Sequence, residues 1–541
     1  MPDRSDSPPV QATAGGDEWM VNGQGHPRRW AILSVLIVAL LVVVIDNTVL
    51  NIALPTIQQD LNASPSELVW AVDSYILTFA ALLFTWGVLG DRLGRKRILI
   101  TGLIIFGAAS AVCAFSLSAP MLIGSRAVMG LGGAAVLPAT LAIITVVFPR
   151  HERGKAIGTW AGAVGAAVAL GPVLGGMLLQ HPTWSSWLTG NDWGAVFLIN
   201  VPIVLIGLLG IWRVVPESRN PAPRKLDFPG LVMSVTGLTL VIYGIIDASR
   251  TRDWFAPSVL VPIVVGIIVI ALFIWLQARS SHASFDVRLF RNRGYAISLL
   301  AISLAFFALM GITFTLPFYL QIIRGFDPLT AGLCFIPFAV GQLIGAPRSA
   351  AMVARFGYRS VMTTGLTLVA LSLLGLTFTT VESPMWLLLG GFFLFGLGMG
   401  NVIAPASTVM QNVLPLAQVG AGSAVQNTVR QVGGALGVAI IGTVLATQYS
   451  ASAIEILSPL DLPEQVVTTA SQSIVATDAL LMQSTAAPDV IAGIQTQIFE
   501  AFLTASHLTY FVSLAIVAIA ALIVAFGLPS KALLAPPMRN G

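Results

Sequence analysis

Charge is scarce in this chain: only 10% of its 541 residues are Asp, Glu, Lys or Arg, while 56% are apolar and the mean hydropathy is +0.86. That composition excludes an ordinary soluble domain. Cysteine is scarcer still, and the two that occur, Cys113 and Cys334, lie inside apolar runs, which excludes a disulfide-stapled fold. The five histidines (His26, His151, His181, His282 and His507) are scattered without metal-site spacing, and no nucleophile motif accompanies them. A membrane enzyme is therefore the remote alternative, with no cofactor or metal expected. No G-x-x-x-x-G-K-S/T loop occurs, so a pump driven by nucleotide hydrolysis is disfavoured. Near the N-terminus no small-residue cleavage site follows an apolar core, so no removed signal peptide is expected.

Long apolar runs are what the sequence has instead. Each is about 20 residues, enough for a helix to cross roughly 30 Å of hydrocarbon. They fall near 30–54, 69–90, 97–118, 121–146, 156–179, 194–214, 229–247, 257–277, 296–320, 328–350, 360–380, 385–411, 420–446 and 507–528, fourteen in all. The expected fold is an all-α integral membrane protein of 14 transmembrane helices. Polar residues 1–29, rich in Pro and Gly, read as a disordered tail, and 529–541 as a second tail.

Lys and Arg set the expected orientation. With residue 1 in the cytoplasm, 23 of the 28 fall in the tails and the loops on that side, so both termini are expected to be cytoplasmic. The basic pI near 9.3 comes from these short loops and gives no reason to expect nucleic acid as a partner. On the far side, segment 449–506 has no Lys or Arg and six acids; it reads as a translocated, solvated loop with some amphipathic helix.

An internal repeat organises the runs. GLGG at 130–133 recurs as GLGM at 396–399, and Pro149, Gly154, Gly171 and Gly176 recur at the same offset as Pro415, Gly420, Gly437 and Gly442. GVLGDRLGRKR (87–97) has a weaker copy in AAMVARFGYRS (350–360). Two six-helix halves follow, 30–214 and 296–528. The segment 215–295 between them is a linker with two inserted helices, 229–277, that have no counterpart in the repeat. Parallel six-helix repeats flanking a central site are an architecture of alternating-access transporters.

Several residues stand out against this background. In GVLGDRLGRKR, Gly87 and Gly94 permit a tight turn, while Asp91 among Arg92 and Arg95 can pair with a base or a helix N-terminus and clasp one side of the protein shut. Arg126, in SRAVMGLGG, is a charge in an apolar run; it either snorkels to the outer surface or serves a function inside. LGPVLGG (170–176) combines Gly171, Gly175 and Gly176 with Pro172, giving a helix that can bend and pack closely.

Asp46, in LVVVIDNTVL, heads a polar strip with Asn47 and Asn51 in the outer half of the first span. Desolvation favours its neutral form and a cation alongside favours its carboxylate, so it can exchange a proton for a cation. That places it on the cavity wall between the halves. Asp73 is a second such acid, about one turn into the second span, where solvation at the interface is the competing reading. Phe307, Met310, Phe314 and Phe318 share one helical stripe, either a cavity wall suited to flat cations or a packing face. Arg430 either lines the inner cavity or snorkels.

The full pattern G-x-L-x-D-R-x-G-R-K between the second and third spans resembles the signature of the major facilitator superfamily. Fourteen spans with VIDNTVLNIALP (44–55), SRAVMGLGGA (125–134), LGPVLGG and WGAVFLINVP (193–202) are similar to its fourteen-helix drug:proton antiporter class. WAVDSYIL (70–77) and VPESRNP (215–221) look closest to the branch exporting lipophilic and quaternary ammonium cations. The resemblance covers about residues 30 to 530. It implies a monomeric, proton-coupled antiporter of the plasma membrane that exports small lipophilic, cationic drugs or dyes, with the bilayer as its surroundings. It further implies a gate at Gly87, Asp91, Arg92, Gly94 and Arg95; the antiporter motif at Gly171, Pro172, Gly175 and Gly176; coupling or substrate roles for Asp46, Asp73 and Arg126; and a cavity including Tyr75. Two departures are Met129, where the class commonly has Gln, and the inserted WSSWLTGND. The alternative function is export of a lipid, antibiotic or metabolite made by the cell itself.

Overall fold

The computed structural model describes residues 25–184, 186–219, 227–251, 253–279, 290–413, 419–460, 462–484 and 487–528. Most of both expected tails, and parts of the linkers flanking the inserted helices, lie outside these residues. Helix is the regular secondary structure of the described residues, and no strand occurs among them. Twelve stretches of the described residues are long and apolar enough to cross a membrane. One of them, Pro328–Leu376, breaks at Gly357 (φ 81°, ψ 162°), a backbone geometry that only glycine adopts without strain. The 31-residue Arg150–Gln180 is a further long helix outside these twelve stretches.

We number the long helices α1 (Arg29–Leu61), α2 (Pro65–Leu93), α3 (Arg95–Ala114), α4 (Ala119–Val147), α5 (Arg150–Gln180) and α6 (Ala195–Val214). Then follow α7 (Phe228–Thr251), α8 (Pro257–Arg279), α9 (Arg293–Phe318), α10 (336–356), α11 (358–376), α12 (Met385–Val413), α13 (Val419–Leu457) and α14 (Pro488–Gly527).

Local chemistry sets several boundaries. α1 stops at Asn62, in the left-handed region at φ 48°. Two residues on, Ser64 and Glu67 form a reciprocal capping box and Pro65 takes the first turn of α2. Ser118 caps α4 and Asn292 caps α9 by accepting from the backbone N–H groups of Met121 and Tyr295. Pro317 near the end of α9 is followed by a π-helical turn, Tyr319–Ile323. Burial differs between helices: 61% of the apolar window of α1 is buried but only 11% of that of α8, which therefore faces outward along most of its length.

α1 packs on α5 and α6, α2 on α4, and α3 on α4; in the second part of the chain α9 packs on α13 and α14. The two inserted helices pair with each other, and α7 also lies against α2 and α13. The expected solvated loop 449–506 is shorter than that range. α13 continues to Leu457 and α14 begins at Pro488, with two short helices, Glu464–Ala470 and Ile474–Gln483, between. The second of them is tied down, because Thr477 bonds Tyr449 Oη at 2.7 Å and Gln495 donates to Asp478 at 3.0 Å.

Candidate functional site

Asp46 sits in the middle of α1 and is wholly enclosed. Its Oδ2 accepts from Arg126 Nη1 of α4 at 2.6 Å, and its Oδ1 accepts from Asn200 Nδ2 of α6 at 2.9 Å. Asn200 is held in turn by Ser110 Oγ at 3.0 Å, and Ser110 by the carbonyl of Phe197. Arg126 is 1% exposed; it donates Nε to the carbonyl of Ala71 at 3.1 Å and lies over the Tyr75 ring, 4.3 Å from its centroid. Four helices of the first half thus converge on one ion pair, in which every close contact is charge-assisted or aromatic.

This geometry selects between the two readings of Arg126 and corrects one expectation for Asp46. Arg126 does not snorkel, because its guanidinium finds a carboxylate, a carbonyl and a ring inside the bundle. Nor is Asp46 on a wall between the halves. A cavity between them is lined by Thr48, Val168, Pro172, Leu309, Met310, Ile312, Thr313, Leu316, Phe335, Phe338, Leu376, Phe392 and Phe395. Thr48 lies two residues beyond Asp46, about 200° around the helix, so the two side chains face opposite ways. Asn51 is buried, and Asn47 keeps a buried Oδ1 without a partner among the described residues.

Asp73 is different. It is 0% exposed rather than solvated at an interface, and neither carboxylate oxygen has a hydrogen-bond partner among the described residues. The neighbours of α2 show where it points. Val69 lies against Gly442 of α13, and the carbonyl of Ala80 accepts from Thr428 of α13, so positions 69, 73 and 80 share the face toward that helix. Tyr75, under Arg126, is on the opposite face.

The aromatic stripe of α9 divides. Met310 lines the cavity, but the carbonyl of Phe307 abuts Gly437, and the Phe314 ring abuts Gly442 while pairing with Phe318 at 6.2 Å. Those three rings are absent from this cavity's lining because 309, 312, 313 and 316 present the face that reaches it. Arg430 places its guanidinium 5.0 Å from the Phe306 ring centroid; its Nε lacks a partner among the described residues.

LGPVLGG joins three elements. A Cβ on Gly171 would overlap Thr48 of α1, and one on Gly175 would meet Val49 at 2.8 Å. On the other side, a Cβ on Gly176 would meet the carbonyl oxygen of Pro328 at 2.3 Å, and one on Gly332 the carbonyl oxygen of Pro172 at 2.3 Å. The short helix Pro328–Leu333 therefore touches α5 backbone to backbone. Gln321 Nε2 adds a bond to the carbonyl of Ile52 at 2.8 Å. These contacts join the two halves at the end remote from the basic loops.

At the basic end, Asp91 accepts twice from Arg95, at 2.9 and 3.1 Å, while Arg92 lies in the last turn of α2. Gly94 adopts φ 114° and leaves room for Glu217, whose carboxylate would lie 2.6 Å from any added Cβ. Glu217 accepts from the backbone N–H of Lys96 at 3.1 Å, at the start of α3. Arg95 N–H donates to the carbonyl of Ser218. The contacts of this motif thus run to the segment following α6. Gly87 is less constrained than expected, since an added Cβ would meet only Pro138, at 3.7 Å. Sequence reasoning passed over Asn200 and Glu217. Both lay in segments already singled out: Asn200 is the one side-chain amide of WGAVFLINVP, and Glu217 the one carboxylate of VPESRNP.

The sequence pattern of the Major Facilitator Superfamily matches residues 36–438, most of the chain and both sides of the inserted helices. The chain belongs to this family. Its fold is a transporter fold. A bacterial homologue of the human lysosomal transporter Spinster superimposes with a TM-score of 0.65 at 16% identity, covering 92% of this chain and 96% of that one. Among curated relatives, the multidrug efflux pump LfrA of Mycolicibacterium smegmatis is 35% identical over 87% of this chain and 90% of its own length. The methyl viologen resistance protein SmvA of Salmonella typhimurium is 33% identical, over 82% and 88% respectively. The tetracenomycin C resistance and export protein of Streptomyces glaucescens is 32% identical, over 78% and 77%. This member of the superfamily is a multi-pass membrane transporter of small molecules, not an enzyme.

Proposed function

We propose that this chain is a proton-coupled antiporter of the plasma membrane that exports lipophilic, cationic drugs or dyes as a monomer, with both termini cytoplasmic. The halves 30–214 and 296–528 alternate access to the apolar cavity between them, and the basic-end motif around Asp91, Arg95 and Gly94 steadies the cytoplasmic side. The observation that carries the reading is Asp73: a carboxyl group enclosed within the membrane with neither donor nor counter-ion among the described residues. Burying an uncompensated carboxylate is so unfavourable that a proton or a cation must neutralise it. A group that accepts one or the other, but not both, exchanges them. Asp46 is already answered by Arg126 and serves to hold α1, α4 and α6 in register. The relatives support the substrate class, one named for multidrug efflux and one for resistance to methyl viologen.

Everted vesicles loaded by a proton gradient test this through ethidium movement. Native protein is expected to transport only while the gradient lasts, and Asp73→Asn to lose that coupling. Transport that survives collapse of the gradient would overturn the reading. The relative named for tetracenomycin C export favours a second reading, export of a compound the cell makes itself; failure of the native protein on a panel of cationic dyes would select it.

A further inference from the structure

The inserted helices have no counterpart in the repeat, yet α7 lies beside the unpartnered acid. Trp70, three residues before Asp73 on α2, faces Tyr243 of α7, with ring centroids 6.4 Å apart and planes inclined by 46°. With Val69 directed at α13 and Trp70 at α7, Asp73 projects between them, since its position falls between theirs around the helix. α7 is fixed there by Thr443 of α13, which donates to the carbonyl of Ile245 at 3.2 Å. Three helices therefore enclose Asp73, and one belongs to the insertion. Tyr243 is 44% exposed on the outer surface of the bundle, so the aromatic pair stands between the surroundings and the acid. One turn further along α7, Asp247 is already engaged by Arg250 at 2.8 Å. Asp73 has no such counter-ion among the described residues, and both its oxygens can answer a ligand's charge.

Resting on the antiporter reading above, we propose that the seam between α2 and α7 is a binding site for flat lipophilic cations arriving from the bilayer. Trp70 and Tyr243 form its aromatic wall and Asp73 supplies its counter-charge. Lipophilic cations partition into the membrane before they meet the protein, and a ring pair open to hydrocarbon takes them without passage through water. Aromatic faces attract a cation most strongly where it is desolvated. On this view the inserted helices contribute to substrate recognition.

Binding of ethidium, a flat lipophilic cation, to the purified full-length protein in detergent, read by fluorescence polarisation, tests the site. Trp70→Ala and Tyr243→Ala are each expected to weaken binding about five- to thirty-fold, the effect of losing one desolvated cation–π contact. Tyr243→Phe keeps the ring and should bind like the native chain, which separates loss of the contact from misfolding; elution as a single monodisperse peak checks each variant. Native-like affinity in both alanine variants, with binding abolished in Asp73→Asn, would overturn the aromatic seam while leaving proton-coupled export intact. No binding by the native chain, beside proton-driven transport of an uncharged compound, would overturn the cation site and the cationic substrate class together.

Discussion

Take Arg126 away and Asp46 keeps a single donor, the amide of Asn200, in a pocket closed to water. Removing one member of a buried ion pair leaves an uncompensated charge and costs about 3–5 kcal/mol, whereas removing both can be nearly neutral. Arg126→Gln is therefore expected to lower the thermal unfolding midpoint in detergent sharply, and Asp46→Asn/Arg126→Gln to recover most of the loss. An unchanged midpoint in the single variant would mean that the pair is not closed in the folded protein. The sequence made Asp46 conspicuous, because a carboxylate in an apolar run stands out. Its partner was not legible: Arg126 lies 80 residues away, and periodicity within α4 cannot tell an inward arginine from one reaching the surface. Between its two readings, Asp73 was undecided for a related reason. Depth along a helix suggested an interface, but burial there depends on α7 and α13, elements more than 150 residues downstream in the chain.

Between α2 and α3 the chain reverses in a single residue, and its glycines do not share that work equally. Gly94 has both the left-handed backbone and Glu217 packed where a side chain would go, while Gly87 has space. Gly94→Ala is expected to cut transport severely, and Gly87→Ala to leave it within about twofold of native, given the small effect of substitutions that meet no close neighbour. Rates of dye efflux in cells, normalised to membrane-inserted protein, check both; equal loss in the two would contradict the packing. Sequence pattern identified the motif as a unit, because both glycines belong to the same string. Which of them the fold needs emerges only with the segment after α6, whose Glu217 meets the N-terminus of α3. The α9 stripe was ambiguous for the same reason. A row of aromatics at helical spacing marks a packed face, and the identity of the packing partner decides whether that face is a wall or a joint.

For the molecule as a whole, apolar runs were nearly sufficient. All-helical architecture, the approximate location of the long helices and the break near the weaker motif copy were legible, since crossing a bilayer leaves the backbone few alternatives. The break falls at Gly357, the residue aligned with Gly94, and both have positive φ. Where the inserted helices dock was not legible, because hydropathy carries no information about neighbours. The charge bias predicts orientation, which impermeant thiol labelling checks. A cysteine replacing Leu117, 85% exposed between α3 and α4, should label in intact cells, and one replacing Leu93, 52% exposed at the basic end, only after permeabilisation. The reverse pattern would invert the proposed topology.

The closed Asp46–Arg126 pair has an electrical consequence. Opposite charges 2.6 Å apart on α1 and α4 add no net charge to the first half, so moving that half through the membrane field does no work on them. A lone charge would answer to voltage by about 2.3 kcal/mol for every 100 mV crossed. In the first half, Asp73 is then the enclosed acid whose charge has no answering group among the described residues. One proton exchanged there for one monovalent cation is electroneutral and runs on the pH difference alone, whereas a divalent cation exchanged for a single proton makes the cycle electrogenic.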